Sequence, residues 1–340
     1  MNVSRRFVEL LIGMTMILLA GDIGGTTSRF QWLDSETPES QSTLFYYPSK
    51  RFSSFTALLT TLLSDSGITQ VDVACFGLPG PVQGCQVALT NLPWTIDACE
   101  LQEQLPLKEI SLVNDFQAAA LGIDALREEK ILCLHPGEFD PAGNRLVVGA
   151  GTGLGVAPVY QLEGHFYPQS SEGGHIAFAP VTDEQSRLMD WLHRERSHIS
   201  YEDLLSGEGL GRLYRFHFQQ RNNRQPTLFS AAMIHELAEQ GDEVAIAALR
   251  MFVNIYGQFI GDVALIWPAR AGIYIAGGIA GKIIRWMTPE DFTWYFLAKE
   301  SMNRVVEKMP VYLVKDELLG LKGAMRSARR LAGLESEGEV

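Results

Sequence analysis

Two stretches of this chain share one local grammar, and together they restrict its fold more than any other feature. Met16 to Ala20 (MILLA) is an apolar run that enters a glycine turn within AGDIGGTTSRF, and Ser28 to Leu33 (SRFQWL) leaves that turn with strand-like bulk. Leu146 to Tyr160, LVVGAGTGLGVAPVY, repeats strand, glycine-threonine turn, strand, about 130 residues further along. Each copy is followed by alternation. Phe55 to Leu63 reads as a helix, and Val71 to Leu78 (VDVACFGL) and Glu109 to Val113 as strands; in the second half Gln185 to Arg196 reads as a helix, and Gly272 to Ala276 as a strand entering a double glycine. The pattern predicts two related α/β halves with largely parallel sheets, to which the two hairpins add antiparallel strands, and a ligand cleft between the halves.

A chain of 340 residues, 46% hydrophobic and 20% charged, is long enough for two such cores. Its net charge of -12 lacks the basic footprint of a nucleic-acid binder, though a small polyanion could dock locally. Cys75, Cys85, Cys99 and Cys133 are spaced too widely for a CxxC metal or redox pair and read as reduced, mostly structural thiols in a cytoplasm. Arg5 and Arg6 before an apolar stretch resemble a secretory leader. Glu9 interrupts that stretch, however, and Met16 to Ala20 are needed as a strand. Met14 and Met16 are alternative starts, so residues 1–15 are expected to form an unstructured extension. Phe252 to Trp267 is apolar but carries Asn254, Gln258 and Asp262, which predicts a buried helix rather than a membrane span. Gln219 to Thr227 (QQRNNRQPT) reads as an exposed loop, and Glu335 to Val340 as a fraying end.

Neither glycine turn is a Walker loop, because both lack the lysine. GAGTGLG also fails as a dinucleotide fingerprint, with Leu154 where glycine is required and a strand where a helix should follow. One reading is a tight turn using glycine for positive φ. The other is an anion nest of successive N–H groups, with hydroxyl donors from Thr26, Thr27 and Thr152. A carboxylate beside docked phosphate is repulsive unless a cation intervenes, so Asp22 is a candidate Mg²⁺ ligand, its alternative being an Asx turn. Asn114 and Asp115 end an apolar strand in SLVNDF, as a helix cap or, for Asp115, as the base that accepts a hydroxyl proton during attack on phosphorus. SEGGH supplies Glu172 and His175, and SYEDLLSG supplies Glu202. These are suitable polyol ligands, or else a polar turn and a solvated helix face. HELAE at His235 lacks the second histidine of a zinc protease, and no GxSxG is present.

With GDIGGTTSRF, TNLPW, VNDF, GAGTGLGV, EGGHIAF, SYEDLLSG and YIAGGI in this order, the chain resembles the bacterial glucokinases of the hexokinase/actin-like superfamily from about Met16 to Leu331. The resemblance implies a two-domain actin-like (ribonuclease H-like) ATPase fold with the active site in the interdomain cleft. The small domain would be residues 16–122 plus 316–334 and the large domain 123–315, with a C-terminal helix returning to the small domain. It implies a cytoplasmic, homodimeric enzyme using ATP and Mg²⁺ on D-glucose. Gly21, Asp22, Gly24, Gly25, Thr26 and Thr27 match the first phosphate loop, Gly151 and Thr152 the second, and Gly277 and Gly278 the segment beneath the adenosine. Asp115 matches the catalytic base, and Asn91, Asn114, Glu172, His175 and Glu202 the sugar ligands. The cysteine-rich zinc motif of the related repressor-kinase branch is missing beside His175, so His175 is expected to contact sugar directly and no zinc is expected. A kinase for mannose, fructose or an amino sugar remains open, as does a non-catalytic sugar sensor, although Asp115 is retained and the N-terminal residues are too few for a DNA-binding appendage.

Overall fold

The computed structural model describes residues 15–35, 42–89, 91–222 and 229–335. The expected N-terminal extension, apart from Thr15, lies outside them. The chain divides into two compact units, one formed by the residues up to Ala125 together with those from Leu318 onward, the other by Leu126–Glu317.

The first unit is built on a five-stranded sheet. Strands β1 (Ile17–Ile23), β2 (Thr27–Asp34), β3 (Thr43–Pro48), β4 (Val71–Leu78) and, later in the chain, Leu107–Asn114 stand in the order β3, β2, β1, β4 and then Leu107–Asn114. The hairpin strands pair antiparallel, whereas β1, β4 and Leu107–Asn114 run parallel. Central strands covered on both faces need apolar residues throughout, which is why VDVACFGL does not alternate. On one face lies α1 (Phe55–Ser66), whose Leu58, Leu59, Leu62 and Leu63 are buried. The Ser54 side chain caps it by accepting from Ala57 N–H at 3.1 Å, and Gly67 ends it at φ +71°. Phe30, Phe55, Phe76 and Trp94 interlock beneath α1 with ring centroids 5.1 to 6.5 Å apart. A short ribbon follows: β5 (Val82–Gln83), β6 (Gln86–Ala88) and β7 (Thr95–Asp97), then α2 (Ala98–Gln104), β8 (Leu107–Asn114) and α3 (Asp115–Gly122).

The opposite face of the sheet is covered by the C-terminal helix, Leu319–Leu331, whose Leu321, Ala324, Met325 and Ala328 pack on Leu18, Ala20, Val73 and Cys75. This helix crosses α3 at two glycines. A Cβ at Gly323 would overlap the Ala118 carbonyl, and one at Gly122 would overlap that of Leu319. Arg326 fixes the crossing through an ion pair with Asp124.

The second unit repeats the plan. β9 (Ile131–His135), β10 (Arg145–Ala150), β11 (Leu154–Leu162), β12 (His165–Pro168), β13 (Ile273–Ala276) and β14 (Val311–Val314) form a sheet in the order β12-β11-β10-β13-β14-β9. As with β1, the first hairpin strand β10 pairs antiparallel with its partner β11 and parallel with β13, and β13 runs parallel with β14. The two related halves expected from the sequence are thus present as the same order over five strands, with β9 added antiparallel at the β14 edge of the second sheet. Helices α4 (Asp183–Leu192), α5 (Gly207–Asn222), α6 (Ala231–Glu239) and α7 (Glu243–Ile266) are the longer helices of this unit. By length and composition α7 could cross a membrane, but 78% of its apolar window is buried among the unit's own side chains.

Three expectations need correction. Gln219 to Asn222 belong to α5, because the run of apolar positions on that helix carries the polar residues along as its last turn; the rest of the expected loop lies outside the described residues. Glu335 is not frayed but pairs with Arg326 at 3.3 Å and Arg329 at 4.0 Å, while the residues after it lie outside the described set. Of the four cysteines, only Cys75 is buried; Cys85, Cys99 and Cys133 are exposed, so core packing does not explain them.

Candidate active site

In the first unit, Asp22 and Asp115 stand at the carboxyl ends of parallel strands, the edge where open α/β sheets gather ligands. Asp22 lies opposite Arg29 across the β1–β2 pair, and this register brings Arg29 Nη1 to 3.6 Å from Asp22 Oδ2. Burial pushes the Asp22 carboxyl above its ordinary range, and Arg29 only partly offsets it. Asp115 is the first residue of α3, and its Oδ1 accepts from Phe116 N–H at 3.0 Å. Burial, and after it the charge of Asp22, pushes Asp115 up to about 7 despite the backbone amides that favour its anion. Two carboxyl groups therefore share one site, with a partial conflict that a cation near Asp22 would relieve. The donor set fits a hard divalent ion held through a single carboxylate.

Asn114 is the N-cap of α3. Its Oδ1 accepts from Phe116 N–H at 3.0 Å and Gln117 N–H at 3.4 Å, and Gln117 returns a bond to Asn114 N–H. The capping role is thus realised, and the Nδ2 group donates to Gly80 O at 3.4 Å.

The first glycine turn depends on close approach rather than on handedness, because neither Gly24 nor Gly25 has positive φ. A Cβ at Gly24 would come within 2.7 Å of Thr27 O, and one at Gly25 within 2.9 Å of the Asn91 Cβ. Asn91 therefore packs directly on the turn. Gly24 N–H is spent on Thr27 O at 3.2 Å, which leaves Gly25 and the exposed Thr26 as the outward part of the turn. Gly21 and Thr27 sit in β1 and β2 on either side and act as framework. Ser49, which the sequence reading did not single out, donates through Oγ to Gly24 O at 2.6 Å and through N–H to Thr26 O at 3.0 Å. It clamps the turn, and nothing in its local sequence signals this, since the contact spans from one hairpin to the next strand. Arg29 was also missed, although β-strand register alone would have aimed it at Asp22. Gly320 on the C-terminal helix, where a Cβ would lie 3.1 Å from the Asp22 carboxylate, is a third such residue.

In the second unit, the turn between β10 and β11 holds Gly151 and Thr152. Gly151 N–H donates to Gly153 O at 2.8 Å, and Gly151 O accepts from Gly207 N–H at 2.9 Å, so α5 starts against the turn and Thr152 is left exposed. Gly277 follows β13 at φ +90° and, with Gly278, is exposed; a Cβ on Gly277 would lie 2.7 Å from Ala150 O, at the foot of the same turn. Beside it, His175 Nε2 stands 3.9 Å from Glu172 Oε2 and 3.8 Å from Glu202 Oε1. Glu202 Oε2 in turn accepts from Leu154 N–H at 2.8 Å. Thus Glu172, His175 and Glu202 converge, as do Gly151, Thr152, Gly277 and Gly278, and both groups belong to the same unit.

Two units with one strand order, each carrying a glycine-threonine hairpin, define the two-domain actin-like ATPase fold, and the carboxylates and imidazole beside those hairpins fit its sugar-kinase branch. The glucokinase family model matches residues 19–331, and a glucokinase of Colwellia psychrerythraea is 32% identical over 315 residues, covering 91% of this chain and 95% of its own. The chain belongs to the glucokinase family. Among solved structures, a glucokinase from an Antarctic psychrotroph superposes with a TM-score of 0.80 at 31% identity, covering 92% of this chain and 99% of that one. A ROK family glucokinase from Streptomyces griseus, in complex with glucose and AMPPNP, shares the fold at a TM-score of 0.64 and 19% identity, covering 92% of this chain and 99% of its own.

Proposed function

We propose that this chain transfers the γ-phosphoryl group of ATP to the 6-hydroxyl of D-glucose, giving glucose 6-phosphate and ADP. The carrying observation is the pair of strand-end carboxyls, Asp22 and Asp115, with the proton affinity of Asp115 lifted to about 7, where a general base works best near neutral pH. Its ionised form accepts the hydroxyl proton as the oxygen bonds to phosphorus and the bond from phosphorus to the bridging oxygen of ADP breaks. Gly25, Thr26, Gly151 and Thr152 bind phosphate oxygens. Gly277 and Gly278 leave room beneath the adenosine. Asn91, Asn114, Glu172, His175 and Glu202 hold the remaining hydroxyls, the carboxylates being the strong acceptors. Asp22 would hold Mg²⁺, directly or through water, and the ion would supply neutralisation of the triphosphate charge. The glucokinase relatives, and the glucose and AMPPNP complex of the Streptomyces protein, support this reading.

An ADP-release assay with purified protein, ATP and a panel of hexoses, with and without Mg²⁺, tests it. Glucose is expected to give the highest kcat/KM, with turnover lost on metal removal. A preference for mannose, fructose or an amino sugar would move the assignment to another hexose kinase, and sugar binding without turnover would make the chain a sensor. The family reading also carries a cytoplasmic homodimer, for which the mass in solution is the test of assembly.

A further inference from the structure

Away from both sets of residues, three side chains, one from the β5–β6 turn and two from the junction of β7 with α2, meet on the ribbon of the first unit. Gly84, at φ +63°, turns the chain from β5 into β6 and delivers Cys85 to the head of β6. Ala98 N–H donates to Cys85 O at 2.8 Å, which extends the β6–β7 pairing one step past Gln86 and Asp97 and draws the start of α2 alongside. As a result a sulfur of Cys85, a carboxylate oxygen of Asp97 and the sulfur of Cys99 all lie within 4.8 Å of one another. In a tetrahedral zinc site, with Zn–S about 2.3 Å and Zn–O about 2.0 to 2.2 Å, donor atoms stand roughly 3.5 to 3.8 Å apart, so closure by about 1 Å suffices.

The carboxylate is oriented by its own backbone and a neighbour. Gln86 Nε2 donates to Asp97 Oδ2 at 2.6 Å, while Cys99 N–H and Glu100 N–H donate to Oδ1 at 2.8 and 3.3 Å.

We infer that Cys85, Asp97 and Cys99 form a binding site for one thiophilic divalent ion of the zinc class, with the fourth coordination position open to solvent. Both cysteines are exposed, which gives the ion its entry path. The ion clamps the β5–β6 turn to the start of α2, at the end of the ribbon opposite the connection that carries Asn91.

The test is a titration of the reduced, metal-free, full-length protein with Co²⁺, followed by Zn²⁺. One equivalent of Co²⁺ is expected to develop a thiolate-to-cobalt charge-transfer band, and Zn²⁺ to displace it. Cys85→Ser and Cys99→Ser should each abolish the band, and Cys133→Ser should leave it intact. Asp97→Asn should weaken affinity by about 10- to 100-fold. Circular dichroism confirms that each variant is folded, and a zinc-dependent rise in Tm should appear in the parent protein but in neither Cys85→Ser nor Cys99→Ser. The proposal is overturned by any of three results: no band at millimolar Co²⁺, a band unchanged by either cysteine substitution, or closure of both thiols to a disulfide while Zn²⁺ is in excess.

Discussion

Glu202 accepts the Leu154 backbone N–H through Oε2 at 2.8 Å while its Oε1 stands 3.8 Å from His175 Nε2. One carboxylate thus ties the turn that follows β10 to the histidine of EGGH. Replacing Glu202 with Ala should leave the Leu154 amide without its acceptor and displace His175 together. Under the proposed function, KM should rise for ATP as well as for glucose. Glu172→Ala, which removes a carboxylate standing 3.9 Å from His175 Nε2, should raise KM for glucose alone. Steady-state kinetics with each substrate varied separately discriminate the two; an unchanged ATP KM in Glu202→Ala would refute the coupling.

Asp115→Asn should reduce kcat by about 10²-fold or more while glucose affinity, measured by calorimetry, stays within a few-fold. The amide keeps the side-chain shape and can still accept the Phe116 N–H, so the loss would report the missing base rather than a lost helix start.

The raised Asp115 group also ties stability to pH. The folded protein binds this proton more tightly than the unfolded chain does. The contribution to stability is therefore fully present below the ordinary carboxyl range and is lost as pH rises through about 7. Asp115→Asn should accordingly be more stable than the parent at pH 8, by roughly 1 to 3 kcal/mol, and no more stable at pH 4. Urea denaturation at the two pH values reads this out. The same ionisation should give kcat/KM an acid limb near the value of about 7, since that profile reports the free enzyme.

Gly323→Ala places a methyl group on the Ala118 carbonyl and forces α3 and the C-terminal helix apart. A loss of about 1 to 3 kcal/mol is expected from overpacking, measured by denaturant midpoint. Gly25→Ala should behave differently, with a small stability change and a raised glucose KM, because its neighbour at 2.9 Å is Asn91 at an exposed turn rather than a helix backbone.

Much of this architecture can be read from local pattern. VDVACFGL is a strand over all of its length, and both glycine-threonine hairpins lie where apolar runs flank them, because strands covered on both faces leave an unbroken apolar signature. Asp22 and Asp115 could be picked out for a similar reason: a carboxylate at a strand end or in a phosphate-type turn conflicts with its surroundings unless it has a task. Contacts that depend on tertiary register left no local trace. Ser49 clamping Gly24 O, Gly320 against Asp22, and Cys85 meeting Cys99 each join segments whose own sequences look ordinary. The polar residues Gln219 to Asn222 misled in the opposite sense, since their composition suggested a loop while the apolar face of α5 kept them helical.

The helix that covers the first unit's sheet, Leu319–Leu331, is synthesised long after the sheet itself. The sheet surface formed by Leu18, Ala20, Val73 and Cys75 is synthesised early and receives its cover only after Leu321 to Ala328 emerge. At about 5 to 20 residues per second, the roughly 245 residues between Cys75 and Leu321 keep that greasy surface waiting for about 12 to 50 s. During that interval the nascent chain is an obvious client for a chaperone, and a premature stop before Leu319 would leave a fragment with no means of finishing its first half.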